Sequence, residues 1–200
     1  MATIKINDQK GKKYLKEIEK YRRLGERPYK RKKSDILYIT GCTKSKEQKN
    51  PNVGMPAFDR YKGPASKKML RFFKENSNGK RFLDVYVMSA GYGFIPADAE
   101  IQDYDVTFAN TASELKKEMA KKLELKKDFV SLLKMRYKLI VLRIGPDYMK
   151  ALNYSASEGY SLPEGTTISY LKAKRIKKLP LLGDIKVFEI PESESVNGGY

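Results

Sequence analysis

The chain has 200 residues, which fits one domain, and 40% of them are hydrophobic, so wholesale disorder is excluded. Lysine and arginine number 41 against 24 aspartate and glutamate residues, and this net charge of +17 suggests a polyanion as partner, either nucleic acid or an acidic membrane surface. The chain has no histidine and one cysteine, Cys42, which excludes histidine-dependent nucleophiles, nearly all zinc catalysis and any internal disulfide.

The N-terminal segment concentrates the positive charge. Residues 1–33 carry 13 lysine or arginine residues and four acidic ones. Apolar side chains at helical spacing predict a short amphipathic helix that ends near Gly25 and Pro28, and a basic arm follows at 29–33. We interpret 1–33 as a basic helix and arm, 34–191 as a single α/β domain, and 192–200 as a flexible tail.

The domain reads as alternating strands and helices. Strands are predicted at 36–39, 82–88, 137–144 and 186–190, and helices at 66–75 and 113–134. This alternation indicates a three-layer α/β sandwich with a mainly parallel central sheet. No apolar run approaches the roughly 18 residues that cross a bilayer, and no signal-peptide pattern begins the chain, so we expect a cytoplasmic protein.

Three unusual segments follow predicted strands, where ligands of open α/β sheets bind. The first, 41–46, is no P-loop, but it offers a glycine, small side chains and two lysines. The second, 89–96, offers two glycines with exposed amides and an aromatic wall on which a base can stack. The third is 145–148. The candidate substrate-binding residues are Gly41, Cys42, Thr43, Lys44, Lys46, Ser89, Gly91, Tyr92, Gly93 and Phe94.

The loop 97–110 holds most of the candidate carboxylates, namely Asp98, Glu100, Asp103 and Asp105. A carboxylate beside an aromatic side chain can act as a general base, or it can stabilise the positive charge that develops on a sugar when a glycosidic bond breaks. Several carboxylates together can instead hold Mg²⁺. Surface acids in a polar loop are the plain alternative.

The order and spacing of four motifs resemble those of an uncharacterised prokaryotic family of small nucleic-acid-associated domains. They are Cys42-Thr43-x-x-Lys46, Pro56-Ala57-x-Asp59-x-Tyr61, Ser89-Ala90-x-Tyr92-Gly93-x-Ile95-Pro96 and Tyr104-Asp105-Val106-Thr107. The match covers roughly 36–110, with Phe94 where the family has Leu. It is also similar to a domain that accompanies archaeosine synthase, and the wider group resembles uracil-DNA-glycosylase-like folds found with base-modification or phage-defence systems. The water-activating motif of uracil glycosylases is not present.

The resemblance and the charge together lead to the hypothesis of an enzyme acting on a nucleobase in DNA, a glycosylase-like N-glycosidase that excises a modified base after nucleotide flipping. Asp105 is the favoured catalytic residue and Asp103 the second. This interpretation needs no cofactor, metal, membrane or protein partner. The residues predicted to contact nucleic acid are Arg22, Arg23, Lys30, Arg31, Lys32, Lys33, Lys172, Lys174 and Arg175.

Two other classes of protein fit the same residues. One is a base-exchange or base-tailoring transferase on tRNA or DNA, as the archaeosine resemblance implies. The other is a non-catalytic module that binds nucleic acid and recognises a modified base. A metal-dependent nuclease is a weaker fourth alternative.

Overall fold

The computed structural model describes residues 2–24, 34–42, 46, 53–63, 83–154, 159–171, 181–182 and 185–190. The helices are α1 Gln9–Leu24, α2 Ala57–Arg60, α3 Ser113–Lys122, α4 Leu125–Leu133 and α5 Pro146–Tyr154. The strands are β1 Ile36–Gly41, β2 Met55–Pro56, β3 Asp84–Ser89, β4 Gly93–Pro96, β5 Glu100–Ile101, β6 Leu139–Arg143, β7 Thr167–Leu171, β8 Leu181–Leu182, β9 Ile185–Lys186 and β10 Phe188–Ile190. Within these ranges no helix combines the length and the apolar character needed to cross a bilayer.

The main sheet has six strands in the order β10-β7-β6-β1-β3-β4. The first five are parallel to one another, and β4 alone runs antiparallel, folded back on β3. The prediction of an α/β fold with a mainly parallel sheet flanked by helices is therefore confirmed. Since the chain leaves central β1 first for β3 and later returns to β6 on the other side, the order of strands reverses at β1, and ligand sites of such sheets form at the carboxyl ends there.

Both faces of the sheet are buried, as a parallel sheet requires. The larger hydrophobic cluster joins β1, β3 and β6 to α1, α3, α4 and α5. A smaller cluster on the opposite face is centred on Tyr38, Val85 and Val141, which pair across the three central strands. On β1 and β6 the two sets alternate, with Leu37, Ile39, Ile140 and Leu142 in the larger cluster, as the two-residue period of side chains in a strand requires.

Helix α1 packs onto the domain instead of standing apart from it as an arm. Tyr14, Ile18 and Tyr21 lie in the larger cluster, and Ile18 is fully buried. The N-terminal strand-like segment is also fixed, because Ile4 hydrogen-bonds to the backbone of residues 110 and 112. The helix predicted within residues 1–33 is thus present and packs into the core of the domain, while 25–33 lie outside the described residues.

The predicted single helix over 113–134 is two helices, α3 and α4. Glu124 between them adopts a left-handed backbone conformation with φ 49°, which an α-helix cannot contain. Arg22 of α1 contacts both the carbonyl of Leu123 and the carboxylate of Glu124, so the break coincides with a tertiary contact. Strands β4 and β7 were missed, and the predicted helix at 66–75 lies outside the described residues.

Because α1 is part of the core, truncating a buried side chain of this helix will destabilise the whole domain. We expect Ile18→Ala to lower the free energy of unfolding by about 2–5 kcal/mol, because it leaves a cavity at a fully buried position. Lys12→Ala, at an exposed position of the same helix, should change it by less than about 0.5 kcal/mol. Urea unfolding measures both values, and equal stabilities would show that α1 contributes nothing to the core.

Candidate functional site

The carboxyl ends of β1 and β3 meet in a buried polar cluster. Cys42 follows β1 directly, and its Sγ lies 2.8 Å from the hydroxyl of Tyr148 on α5. That hydroxyl also lies 3.2 Å from the carbonyl oxygen of Cys42, to which it donates. The backbone N–H of Ala90, after β3, points to the same sulfur at 3.5 Å. The predicted convergence of the first two strand ends, with α5 after β6 beside them, is therefore observed.

Ser89 organises the second half of this cluster. Its Oγ accepts the backbone N–H groups of Gly91 and Tyr92 at 3.2 and 3.1 Å, which occupies both lone pairs and leaves the hydroxyl proton to donate to Tyr104 at 2.7 Å. The Tyr104 hydroxyl lies a further 2.8 Å from that of Tyr61. These groups are all buried, so each hydrogen bond replaces one that water would otherwise supply.

Three aromatic rings close this end of the sheet. The ring of Tyr92 lies 5.1 Å from that of Tyr21 on α1 and 5.5 Å from that of Tyr104, centroid to centroid. Tyr21 is itself fixed, because its hydroxyl donates to the carbonyl of Asp103 at 2.8 Å. A Cβ on Gly91 would come within 2.7 Å of the Tyr104 ring, so only glycine allows this close approach.

Burial keeps the phenols of this region neutral. Desolvation raises the pKa of Tyr92 to about 12, partly offset by the hydrogen bond from the Gln102 backbone. It also raises the pKa of Tyr61, Tyr104 and Tyr148 well above the ordinary value. On the surface side, desolvation and the nearby Asp105 carboxylate raise the pKa of Tyr14 to about 12. Because these phenols stay protonated at neutral pH, none of them is a ready general base.

Asp105 lies outside this buried cluster, in an open basic groove. Its side chain is exposed, and a groove of about 670 Å³ is lined by Asp105 and by five residues of α1: Gln9, Lys10, Lys12, Lys13 and Lys16. We call this the lysine groove. The favoured catalytic carboxylate therefore shares a groove with four lysines of the basic N-terminal helix. Asp103, the second candidate, is half-buried and does not line the groove.

Several predicted binding residues are parts of the core. Tyr92 and Phe94 were expected to form an exposed stacking wall, but they are 3% and 0% exposed, and Phe94 stacks on Phe129 in the interior. Gly93 is buried with φ 78°, which glycine adopts without strain. Gly41 lies against the ring of Tyr148, and a Cβ on Gly41 would be 3.6 Å from that ring.

The predicted cations separate into two groups. Lys46 donates to the carbonyl of Tyr104, and Arg22 contacts the carbonyl of Leu123 and the carboxylates of Glu124 and Asp128, so both bind within the protein. This contact with Arg22 lowers the pKa of Glu124. The remaining predicted residues lie outside the part of the chain that the structure describes, as does the side chain of Arg23. They are Thr43, Lys44, Lys30, Arg31, Lys32, Lys33, Lys172, Lys174 and Arg175.

Sequence reasoning gave no role to Tyr61 or Tyr148 in the cluster, or to the lysines of α1 in the groove. The helical spacing of Lys12, Lys13 and Lys16 was a usable signal, since these residues lie on the side of α1 opposite Tyr14 and Ile18. The Mg²⁺ alternative finds no ligand set among the described residues, where no three aspartate, glutamate or cysteine side chains come close enough to share an ion.

The fold and the site define an α/β protein with a closed polar cluster at its strand ends and a basic groove beside it. The chain belongs to a family of unknown function, DUF6884, whose sequence model matches residues 37–164. Comparisons with curated proteins and with solved structures found no match. The matched range includes the whole polar cluster and Asp105 but not α1.

The close approach of Gly91 to Tyr104 can be tested with a matched pair of glycine substitutions. Gly91→Ala should lower the free energy of unfolding by about 1–3 kcal/mol, because the new methyl group forces the buried ring off its hydrogen bonds. Gly145→Ala should be nearly neutral, since nothing lies within 4 Å of its Cβ position. Thermal or urea unfolding of both variants checks this, and a neutral Gly91→Ala would contradict the packing.

The raised pKa of Tyr92 predicts a loss of stability at high pH. Between about pH 10 and 12 the unfolded chain releases this proton and the folded protein keeps it, so the free energy of unfolding falls as pH rises, by up to about 1.4 kcal/mol per pH unit for one group. Tyr92→Phe should be less stable at pH 8 but should lose less stability over this range. Parallel pH profiles of the parent and the variant would contradict the assignment.

Proposed function

We propose that this protein acts on a nucleobase in nucleic acid, with DNA favoured over RNA, as an N-glycosidase that hydrolyses the bond between a modified base and its sugar. We also propose that its α/β fold is a three-layer, uracil-DNA-glycosylase-like one. The parallel sheet with its reversal of strand order at β1 and the motif resemblance over 36–110 support this finer fold assignment.

The observation that carries the proposal is the position of Asp105 in the lysine groove. The four lysines that line this groove give it a positive charge that attracts phosphates, and binding releases the counterions condensed on the nucleic acid. A carboxylate among them is repelled by phosphate, so it serves a different part of the ligand. The part of a nucleotide that becomes positive during glycosidic cleavage is the sugar, and a nearby carboxylate stabilises that charge or positions the attacking water.

An anionic membrane fits α1 less well than nucleic acid does. Helices that bind in the membrane interface insert an apolar face among the lipids. The apolar face of α1, with Tyr14, Ile18 and Tyr21, is already buried in the protein core. The exposed side of α1 is polar and rich in lysine, and a ligand rich in phosphates satisfies these lysines without any insertion.

A second candidate function is a non-catalytic module that recognises a modified base. It is favoured by the burial of Tyr92, Phe94 and the strand-end hydroxyls, because buried groups hold the fold together and do not reach a bound nucleic acid. Among the described residues, Asp105 is then the one carboxylate that lines the groove. In such a module Asp105 accepts hydrogen bonds from the base instead of assisting cleavage. Release of the base separates the two functions, because the N-glycosidase releases it and the binding module does not.

Catalysis by Asp105 is tested by single-turnover assays on modified and unmodified DNA, with free bases and abasic sites measured by mass spectrometry. Asp105→Asn should bind DNA at least as tightly as the parent and release base about 10²- to 10⁴-fold more slowly, since it keeps the shape and loses the charge. Glu164→Gln, which changes the charge equally at an exposed position outside the groove, should match the parent.

Three other results of this assay are informative. Equal rates for Asp105→Asn and the parent would reject Asp105 as the catalytic residue. Release of base only when a second base or amine is supplied would identify a transferase instead. Tight, base-selective binding by the parent without any release would favour the binding module.

The lysine groove makes a separate prediction about salt. Replacing Lys10, Lys12 and Lys16 by alanine should weaken DNA binding and reduce the slope of log K against log salt by about 2–3, at about 0.9 per lost phosphate contact. Replacing Lys117, Lys134 and Lys150, which are exposed but do not line the groove, removes the same charge and should leave the slope nearly unchanged. Equal slopes in the two triple variants would place the phosphates elsewhere.

A further inference from the structure

The peptide group that joins Tyr104 to Asp105 is held on both sides by charged side chains. Lys46 Nζ donates to the Tyr104 carbonyl oxygen at 2.8 Å. The N–H of Asp105, which belongs to the same peptide group, donates to Glu17 Oε2 at 3.1 Å. Hydrogen bonds with one charged partner are about twice as strong as neutral ones, so this peptide is fixed more firmly than an ordinary loop peptide.

Lys46 is held in place for this contact. Its backbone forms an isolated antiparallel bridge with Tyr61, whose hydroxyl lies 2.8 Å from that of Tyr104. Its ammonium group also lies 4.2 Å from the centroid of the Tyr104 ring, within the range of a cation–π interaction. Lys46, Tyr61 and Tyr104 therefore form a closed loop of contacts.

Glu17 connects the same peptide to the lysine groove. It lies on α1, and its carboxylate is 3.5 Å from Lys13 Nζ, one of the lysines that line the groove. From Lys13 to Lys46 the charges alternate, with the peptide dipole of residues 104–105 aligned between the carboxylate and the ammonium group. Glu17 thus links the loop that carries Asp105 to a lysine that lines the groove.

We propose that Lys46 and Glu17 are positioning residues that fix where the Asp105 carboxylate lies in the lysine groove; this rests on the proposed function only in taking Asp105 as the reacting group. With both hydrogen-bonding groups of the preceding peptide engaged, the plane of that peptide is fixed, and this restricts where the Cα and the side chain of Asp105 can lie. The sequence-based role of Lys46 as a phosphate or base ligand is replaced by a role inside the protein.

The proposal predicts a loss of rate without a loss of affinity. Lys46→Met should slow single-turnover base release about 10- to 100-fold, as misplacement of a reacting group by about 1 Å does, and should leave Kd and the salt slope unchanged. Lys46→Arg, which keeps the charge and a donor, should restore most of the rate. Lys134→Met is the control at an exposed position. An unchanged rate with weaker binding and a lower salt slope would overturn the proposal, because Lys46 would then bind phosphate.

Amide hydrogen exchange at Asp105, followed by NMR, tests the same contacts in the free protein. Lys46→Met and Glu17→Gln should each accelerate exchange of this amide about 10-fold, the effect of losing about 1.4 kcal/mol of hydrogen bonding, while Lys134→Met should not. Unaltered exchange in both variants would overturn the proposal. Accelerated exchange in a protein that releases no base would reject the N-glycosidase and support the positioning role, so the two failures are distinguishable.

Discussion

The hydroxyl of Tyr104 is the group on which the strand-end structure depends. A phenol in the interior must find a hydrogen-bond partner, since an unpaired one costs about 1–3 kcal/mol. Ser89 at the end of β3 supplies that partner, and Tyr61 supplies the next one, so one side chain connects the sheet, the β2–α2 region and the loop 97–110. Gly91 leaves room for the ring, and Tyr21 of α1 covers it. The arrangement of the surface around Asp105 follows from these buried contacts.

Helix α1 combines two roles that the composition alone does not separate. Its apolar side contributes Tyr14, Ile18 and Tyr21 to the core, and its opposite side carries Lys12, Lys13 and Lys16 of the groove. The positive charge of the N-terminal segment is therefore held on a rigid, packed helix. A rigid row of ammonium groups loses less conformational freedom when it binds phosphates than an unstructured arm would lose.

The sequence predicted the central strands β1, β3 and β6 because buried parallel strands are continuous apolar runs, and their carboxyl ends had to meet. It failed at residues whose conformation depends on distant contacts. Glu124 lies in a run that is helical by its apolar period, but Arg22, about a hundred residues earlier, contacts it at the break between α3 and α4. The sequence predicts a loop at β4 because Gly91 and Gly93, just before the strand and at its first position, are equally typical of a binding turn, and only the pairing with β3 distinguishes the two.

The same ambiguity affected the site. Ser89, Gly91 and Tyr92 form a pattern that fits a base-binding turn, and the structure uses it to bury hydroxyls and aromatic rings. The spacing of these motif residues indicates that they lie together, but it does not indicate whether their side chains are buried or exposed. That depends on α1, whose packing against the strand ends cannot be read from the motif residues themselves.

This arrangement also restricts where chemistry can occur at neutral pH. The strand-end phenols are protonated because burial raises their pKa, and they are buried, so they neither accept protons readily nor lie exposed to a macromolecular ligand. Asp105 differs in both respects, being exposed and placed beside cations that attract phosphates. In the function we propose, the buried motif residues fix the geometry and the adjacent carboxylate of Asp105 meets the ligand. The motif in the interior and Asp105, the one acid among the described residues that lines the basic groove, are in that proposal two parts of one site.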